Sequence, residues 1–340
     1  MSQPSIVFRT EGGPAIGLGH IRRSMTLAQE LQKHGARAFF VLPEDPLSLD
    51  LLRREGFEVA TVAMDKDLDL GETLKCAESS SARASIIDSY NILDFSRITK
   101  MMFTGVIDDL ATTSLPVDLI INGGADAGEL CYRASARTQL LLGPRYSLLR
   151  EEFSEEPVRG PSNSIERVLI TLGGTDHNGL TANILTWVRE TLPSVRLDVV
   201  IGVFFNGATG DKIRHLIKED PDAHQYENPP HMRELMLACD IAITGGGQTT
   251  YELAATGTPG LAIRLADNQT GNLRGLSAHG AIRWVGDATD EDLKDKLLDA
   301  LQDLAENKEK RTEMSRAGRR LVDGRGTKRV AQAIIKACTP

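Results

Sequence analysis

The sequence predicts an α/β protein built from two doubly wound domains that face each other across a cleft. Three observations predict this architecture. Apolar, β-branched segments alternate with amphipathic helical stretches along the whole chain, which is typical of parallel sheets with helices on both faces. The alternation breaks at Glu151–Ser164, which is rich in Glu, Pro and Gly and has no periodicity. Each half opens with a strand and a glycine-containing loop.

The elements of the first half follow from local periodicity. Apolar residues recur at helical spacing from Ile21 to Leu31, and Gly35 suits the end of that helix. A second helix is predicted from Leu47 to Leu52, before Gly56. The predicted strands of this half are Ile6–Thr10, Ala36–Leu42, Glu58–Val62, Ser85–Asp88, Gly105–Ile107, Leu119–Asn122 and Leu140–Gly143.

The second half repeats the alternation and ends in helices. From Asp290 to about Ala337 the pattern is almost wholly helical. We therefore predict an N-terminal domain at 1–155, a C-terminal domain at 163–325, and a helix at 326–340 that could pack back across the interface. The predicted strands of this half are Val168–Leu172, Leu197–Ile201, Ile241–Thr244, Leu261–Leu265 and Ile282–Val285.

Composition excludes several classes of protein. A chain of 340 residues that is 41% apolar can form two cores. A net charge of −8 argues against nucleic acid as a partner. The 4 cysteines are far apart, so neither a disulfide framework nor a zinc site is expected. No secretory signal and no long apolar run is visible. We therefore expect a cytoplasmic protein without a membrane partner.

A histidine follows the first predicted strand. His20 lies where that strand gives way to a helix, and ligands of open α/β sheets bind at this edge. Histidine transfers protons near neutral pH, and a helix N-terminus disfavours the imidazolium form. His20 is therefore the candidate general base, with Gly17, Gly19 and Arg22 as candidate substrate contacts. The alternative is a histidine that only packs at the start of a helix.

Two glycine loops in the second half suit a phosphate group. Gly173 and Gly174 follow a strand and could present backbone N–H groups to an anion. The triplet Gly245–Gly247 enters a helix that carries Thr249 and Thr250 in its first turn. The triplet is the better candidate for a diphosphate site, because three glycines are costly unless the backbone requires them. The alternative is a purely steric turn in which Thr249 caps the helix.

Other polar residues follow predicted strands. Glu252 could accept hydrogen bonds from ribose hydroxyls, although it could also face water. Asn268 and Gln269 offer donors and acceptors that suit sugar hydroxyls and amides. Asp88 and Asp109 are candidate substrate contacts at strand ends. No cluster with metal-ligand spacing accompanies them, so no metal site is expected.

These segments resemble PseG/SpsG-type proteins. The order of the segments matches over roughly residues 5–290, and the more family-specific pieces are Tyr146–Phe153 and Ala266–Gln269. The glycine loops alone are shared with glycosyltransferases of the GT-B fold, such as MurG. The sequence departs from the family at Ser89, where PseG proteins often have histidine, and at the small pair Gly123–Gly124. These departures predict an altered sugar pocket.

The resemblance implies the GT-B fold and a reaction. It implies hydrolysis of UDP-2,4-diacetamido-2,4,6-trideoxy-β-L-altrose to the free sugar and UDP, with no cofactor. It implies a water-activating role for His20 and active-site roles for Tyr90 and Asn268. It also places the nucleotide on the C-terminal domain, with the contacts falling on Gly173, Gly174, Gly246, Gly247, Thr249, Thr250 and Glu252.

This chemistry is physically consistent with a single base. A nucleoside diphosphate is a good leaving group that N–H donors and a helix N-terminus can stabilise, whereas ordinary glycosidases need two carboxyl groups. We therefore expect direct displacement by water with inversion, without a metal. We also expect a monomer or weak dimer. The alternatives are a GT-B glycosyltransferase, a non-catalytic nucleotide-sugar sensor and a UDP-sugar 2-epimerase. A transferase would carry an apolar and basic acceptor surface, and the sequence shows no clear patch of that kind before residue 120.

Overall fold

The chain divides into two compact units. The computed structural model describes residues 3–13, 16–63, 66–90, 95–156, 160, 162–176, 179–205 and 207–338, with the backbone alone at 66–70. Unit 1 comprises Met1–Glu151 together with Arg325–Pro340, and unit 2 comprises Glu152–Gly324. Part of the predicted boundary segment, at 157–159 and 161, lies outside the described residues.

The strands are numbered in chain order. Those of unit 1 are β1 (Ser5–Thr10), β2 (Arg37–Pro43), β3 (Glu58–Val62), β4 (Ala82–Asp88), β5 (Phe103–Ile107), β6 (Ser114–Leu115), β7 (Leu119–Asn122), β8 (Arg133–Ala134) and β9 (Gln139–Leu142). Those of unit 2 are β10 (Arg167–Thr171), β11 (Arg196–Ile201), β12 (Ala223–Glu227), β13 (Ile241–Gly245), β14 (Gly260–Arg264) and β15 (Arg283–Asp287).

The helices alternate with the strands and then close the chain. They are α1 (Gly19–Lys33), α2 (Pro46–Arg54), α3 (Lys66–Ser79), α4 (Leu180–Thr191), α5 (Gly207–Glu219), α6 (Met232–Ala238), α7 (Thr249–Thr256), α8 (Thr270–Ala278), α9 (Leu293–Glu306), α10 (Lys308–Leu321) and α11 (Gly326–Cys338).

The main sheet of unit 1 is parallel and doubly wound. Its strand order is β3-β2-β1-β4-β5-β7-β9, and every pairing is parallel. The direction of winding reverses between β1 and β4, which pair so that Thr10 lies beside Asp88. The carboxyl ends of the two strands at such a reversal leave a crevice where ligands of these folds bind.

Unit 2 has the same design. Its sheet runs β12-β11-β10-β13-β14-β15 with parallel pairing throughout. The winding reverses between β10 and β13, where Thr171 pairs with Thr244. The loops after these two strands are the two glycine loops of the sequence. The predicted fold of two parallel, doubly wound sheets is confirmed.

The first two helices end where the sequence predicts. Gly35 and Gly56 follow α1 and α2 with φ of +82° and +80°. Their N–H groups donate to Gln32 O and Arg53 O, so both glycines adopt the left-handed conformation that terminates a helix without a Cβ penalty. At the other end of α2, the Asp45 side chain accepts the Ser48 N–H at 2.8 Å, which caps the helix.

The last helix belongs to the first unit. Helix α11 packs against α1, with Val330, Ala331 and Ile334 fully buried. The Thr327 hydroxyl of α11 donates to the Leu149 carbonyl at 2.7 Å. Unit 1 is therefore completed by a segment that follows the whole of unit 2 in the chain.

Three strands were not predicted. The edge strand β12 has a largely exposed, polar sequence, and it pairs with β11 on one side only, so it lacks the apolar run used to recognise buried strands. The two-residue strands β6 and β8 pair with each other apart from the main sheet. Within the described residues, no helix combines the length and the apolar character needed to cross a membrane.

Candidate functional site

The reversal point of unit 1 brings together two distant segments. The loop after β1 leads into α1, and the loop after β4 carries Asp88–Tyr90. His20 Nδ1 lies 2.6 Å from Asp88 Oδ1, although 68 residues separate them. His20 is 7% exposed and Asp88 is fully buried. A histidine and a carboxylate therefore form a buried pair at the edge where such sheets bind ligands.

Arg23 clamps the same carboxylate. Its Nε donates to Asp88 Oδ2 at 2.7 Å and its Nη2 donates to Asp88 Oδ1 at 2.6 Å. Burial alone would raise the pKa of the Asp88 carboxyl, but the charges and hydrogen bonds of Arg23 and His20 outweigh burial and hold that pKa well below its usual range. An ionised carboxylate only accepts hydrogen bonds, so the proton of the shared bond lies on His20 Nδ1. The Nε2 atom of His20 is then the basic nitrogen.

Arg23 also reaches a second strand end. Its Nη1 donates to Asp109 Oδ2 at 2.6 Å. Burial would lower the pKa of the Arg23 guanidinium, yet Asp109 and Asp88 raise it well above its ordinary value. Both carboxylates proposed as substrate contacts are thus hydrogen-bonded to one guanidinium. Within the described part of the chain, His, Cys, Asp and Glu form no group of three or more that could hold a metal ion.

Tyr90 lies against the histidine. The two rings meet edge to face with centroids 4.9 Å apart and an interplanar angle of 89°. The Tyr90 hydroxyl donates to Asp109 Oδ2 at 3.4 Å, and 36% of the residue is exposed. Glu11 holds this loop from below: it accepts the Tyr90 N–H at 3.1 Å and the Ser89 hydroxyl at 3.0 Å. Glu11 therefore holds the backbone of Tyr90, while the residue remains partly exposed.

The structure separates Arg22 from its neighbour. Arg22, the predicted substrate contact, lies on the exposed side of α1, and Arg23 is the arginine that binds both carboxylates. Gly17 and Gly19 have open space where a Cβ would stand, so the backbone before His20 is sterically accessible to a ligand.

The first glycine loop of unit 2 is shaped by steric demands. Gly173 has φ +103°, a conformation that favours glycine. A Cβ on Gly202 would lie 2.3 Å from the Gly173 carbonyl oxygen. The close approach of the loop after β11 to the loop after β10 therefore requires glycine at position 202. Asp176 accepts the N–H groups of Leu180 and Thr181 at 2.8 and 3.0 Å. Its carboxylate therefore caps α4.

The glycine triplet divides into two tightly packed positions and one open position. A Cβ on Gly245 would lie 2.6 Å from Leu265 Cδ1, and a Cβ on Gly246 would lie 2.7 Å from Leu273 Cδ1. At Gly247 no atom lies within 4 Å of that place. Packing therefore explains the first two glycines. The third is free of such constraint and faces space that a ligand could use.

Two side chains predicted to touch the ligand, those of Gln269 and Thr250, make hydrogen bonds within the protein that hold this loop. Gln269 Oε1 accepts the N–H groups of Gly246 and Leu265 at 3.2 and 2.9 Å. The fully buried Thr250 hydroxyl donates to the Gly247 carbonyl at 2.7 Å. Asn272 donates to the Gly246 carbonyl at 2.6 Å and to Thr250 Oγ1 at 3.1 Å. Both backbone polar groups of Gly246 are therefore engaged within the protein.

The remaining predicted residues lie beside this loop at the surface. Thr249 and Glu252 are half-buried in the first turn of α7, and Asn268 is exposed in a short 3-10 turn, Asp267–Gln269, after β14. Among the described residues, the backbone N–H groups of Gly247 and Thr249 donate to no backbone carbonyl outside the regular helices and strands. These N–H groups, at the positive end of a helix dipole, are suited to an anion.

Sequence reasoning missed four residues of the two sites. Arg23, Glu11, Asn272 and Gly202 hold the candidate groups in place through contacts that are remote in sequence. Arg23 carried a detectable signal, because it lies in the glycine–histidine segment one helical turn after His20. The other three carried none, since each is recognisable only from the chain that packs against it.

A model of a known domain family and several curated proteins match this sequence. The glycosyltransferase family 28 C-terminal domain matches residues 205–332. An uncharacterized protein of Methanocaldococcus jannaschii is 26% identical over 75% of this chain and 54% of its own. The spore coat polysaccharide biosynthesis protein SpsG of Bacillus subtilis is 25% identical over 56% of this chain and 54% of its own. This chain thus spans about half the length of these two relatives.

A third relative has a named activity. The UDP-2,4-diacetamido-2,4,6-trideoxy-beta-L-altropyranose hydrolase of Campylobacter jejuni is 24% identical to this chain. The match covers 55% of this chain and 66% of that protein.

Solved structures establish the fold. The match to MurG of Acinetobacter baumannii has a TM-score of 0.67 at 15% identity and covers 98% of this chain and 99% of that chain. The kitacinnamycin glycosyltransferase matches with a TM-score of 0.69 at 17% identity, over 100% of both chains. The rhamnosyltransferase SpnG, solved with thymidine diphosphate, has a TM-score of 0.65 at 16% identity and covers 98% and 100%. The chain has the GT-B fold.

Proposed function

We propose that this chain, a PseG/SpsG-like protein with the GT-B fold, hydrolyses a UDP-linked diacetamido-trideoxy sugar to UDP and the free sugar. The observation that carries the proposal is the buried pair in which His20 Nδ1 lies 2.6 Å from Asp88 Oδ1. Support for the substrate class comes from the named activity of the Campylobacter relative.

The first step is activation of water by His20. With Nδ1–H donated to an ionised Asp88, the Nε2 lone pair is the group that accepts a proton from water. Asp88 stabilises the imidazolium as it forms and holds the ring in one tautomer and one orientation. The imidazolium then returns its proton to solvent. His20 needs no second base, because the pair with Asp88 is complete within unit 1.

The diphosphate departs in the same displacement, as the leaving group. The new bond joins the water oxygen to the anomeric carbon, and the bond from that carbon to the β-phosphate oxygen breaks with its electron pair on UDP. We assign the diphosphate to the N–H groups of Gly247 and Thr249, because the α7 dipole and N–H donors stabilise the leaving charge. A single displacement predicts inversion at the anomeric carbon. Tyr90 and Asn268 are assigned to the sugar because each is an exposed residue with a polar side chain.

A GT-B glycosyltransferase is the second candidate. The matching domain model bears a glycosyltransferase description, and His20 could deprotonate an acceptor hydroxyl instead of water. One structural observation favours this candidate. Ile16, Tyr90 and Leu110 are 39%, 36% and 37% exposed in loops at the same sheet edge as His20, although the sequence showed no clear apolar patch there. An apolar acceptor would bury such side chains.

UDP release decides between the two candidates. Purified protein is incubated with UDP-linked diacetamido sugars, with and without EDTA and with and without an acceptor sugar, and UDP is measured over time. We expect release without acceptor and unchanged rates in EDTA. Release only with an acceptor would establish the transferase, and an altered sugar still attached to UDP would indicate a 2-epimerase.

The base is tested by His20→Asn beside His34→Asn. His34 lies at the other end of α1 and is exposed there, so its substitution controls for loss of a histidine from the same helix. We expect the His20 variant to retain UDP binding and to lose at least about 100-fold in rate. Equal rates in wild type and His20→Asn would overturn the base assignment. Binding of UDP-sugar without turnover in the wild type would indicate a sensor.

A further inference from the structure

We propose that Arg23 is a positioning residue that holds Asp88 as the acceptor for His20 and links this pair to Asp109 and Tyr90. The inference rests on the proposed function only where it treats His20 as the base. It reassigns Asp88 and Asp109, which the sequence suggested as substrate contacts. Arg23, the residue after the predicted contact Arg22, orients Asp88 and supplies a positive charge beside it.

Arg23 fixes the orientation of the Asp88 carboxylate. Three nitrogen atoms of one guanidinium are engaged: Nε and Nη2 on the two oxygens of Asp88, and Nη1 on Asp109, at 2.7, 2.6 and 2.6 Å. A guanidinium is planar and rigid, so a two-point contact fixes the plane of the carboxylate. Fixing that plane directs Asp88 Oδ1 toward His20. A lysine would supply the charge without fixing the plane.

The contact between Arg23 and Asp88 is largely buried. The Asp88 side chain is 1% exposed and that of Arg23 is 14% exposed. Ser24 adds a weaker contact, its hydroxyl donating to Asp88 Oδ2 at 3.3 Å. With so little solvent, the charges interact more strongly than at the surface. The orientation of the His20 acceptor is thereby determined by neighbours on α1 rather than by water.

Arg23 also places a positive charge beside the pair of His20 and Asp88. The charged and titratable groups facing the pair are Arg23 from α1, Tyr90 and Asp109 from the loops after β4 and β5, and two carboxylates further out. One is Asp108, which is next to Asp109 and has its pKa raised by burial. The other is Glu11, which accepts the Tyr90 N–H. Of the described side chains hydrogen-bonded to Asp88, Arg23 carries the permanent positive charge. Removing it leaves carboxylates around the pair, so the pair binds a proton more readily.

Asp109 links Arg23 to Tyr90. Asp109 Oδ2 accepts both Arg23 Nη1 at 2.6 Å and the Tyr90 hydroxyl at 3.4 Å. Tyr90 in turn contacts the His20 ring. The contacts therefore form a closed ring of five side chains, in the order His20, Asp88, Arg23, Asp109 and Tyr90. A shift of Arg23 would disturb the proton acceptor and the neighbouring aromatic side chain together.

The test is an NMR titration of His20 in the full-length protein. The chain has 7 histidines, and the His20 signal is the one missing from the His20→Asn spectrum. We expect Arg23→Gln to raise the titration midpoint by about one pH unit or more, and Arg23→Lys to raise it less. Arg22→Gln removes the neighbouring exposed charge and should move the midpoint by no more than about 0.3 unit. A midpoint in folded Arg23→Gln equal to that of the wild type would overturn the proposal.

A second variant covers the case in which Arg23→Gln does not fold. Asp109→Asn keeps the two-point clamp on Asp88 and removes a negative charge, so we expect the midpoint to fall. Opposite shifts in the two variants would support the electrostatic link, and a rise or no shift in Asp109→Asn would contradict it. The titration needs no substrate. An inactive wild type with these shifts would therefore overturn the proposed function and leave this inference standing.

Discussion

His20 and Asp88 share a hydrogen bond of 2.6 Å between Nδ1 and Oδ1, and Asp88 is buried. Replacing Asp88 by Asn keeps the size of the side chain but removes the charge that orients and stabilises the imidazolium. We expect Asp88→Asn to lower kcat about 100-fold or more while the affinity for UDP changes little. The measurement is initial-rate kinetics beside calorimetric titration with UDP. A folded variant with an unchanged kcat would show that the pair is only structural.

The same carboxylate makes stability depend on pH. Arg23 and His20 hold the pKa of Asp88 below its usual range despite burial, so the unfolded state binds this proton more readily than the folded state does. The contribution of Asp88 is therefore complete above its unfolded pKa of about 3.9 and is lost as pH falls toward the folded value. We expect this contribution to the difference in free energy of unfolding between wild type and Asp88→Asn to be fully present at about pH 5, where the carboxylate is ionised in both states. It should shrink below about pH 4, as measured by urea denaturation. A constant difference down to pH 2 would contradict the assignment.

The open position of the glycine triplet predicts a variant that damages binding alone. A Cβ at Gly247 meets no atom within 4 Å, whereas one at Gly246 would lie 2.7 Å from Leu273 Cδ1. We expect Gly247→Ala to unfold like the wild type and to bind UDP at least about 10-fold more weakly, because the methyl group would occupy ligand space. Gly246→Ala should instead lose about 1–3 kcal/mol of stability. Calorimetry and denaturation separate the two effects, and unimpaired UDP binding in Gly247→Ala would move the diphosphate elsewhere.

The last helix should stabilise the first unit. Ile334 is fully buried where α11 packs against α1, and the adjacent Ile335 is half-buried. We expect Ile334→Ala to cost about 2–5 kcal/mol of unfolding free energy, and Ile335→Ala to cost less. Hydrogen exchange should rise in α1 and β1 of the Ile334 variant before it rises in unit 2. Faster exchange confined to unit 2 would contradict this prediction.

The sequence by itself determined the elements that have strong local signals. Most strands are runs rich in apolar, β-branched residues, and their predicted bounds lie close to those observed, as at Glu58–Val62 and Leu119–Asn122. The ends of α1 and α2 followed from Gly35 and Gly56, whose positive φ glycine accommodates. The position of His20 after β1 followed in the same way. These features depend on neighbours within a few residues, so the periodicity of the chain is sufficient to predict them.

The tertiary structure alone decided which residues meet. Arg22 and Arg23 differ by about 100° around the helix axis, and only the packing of α1 on the sheet shows that Arg23 faces Asp88. The pairing of His20 with Asp88 follows from the adjacency of β1 and β4, strands separated by two others in the chain. Likewise, the assignment of α11 to unit 1 depends on the burial of Ile334 against α1. Such contacts join residues remote in sequence, so they cannot be predicted from local periodicity.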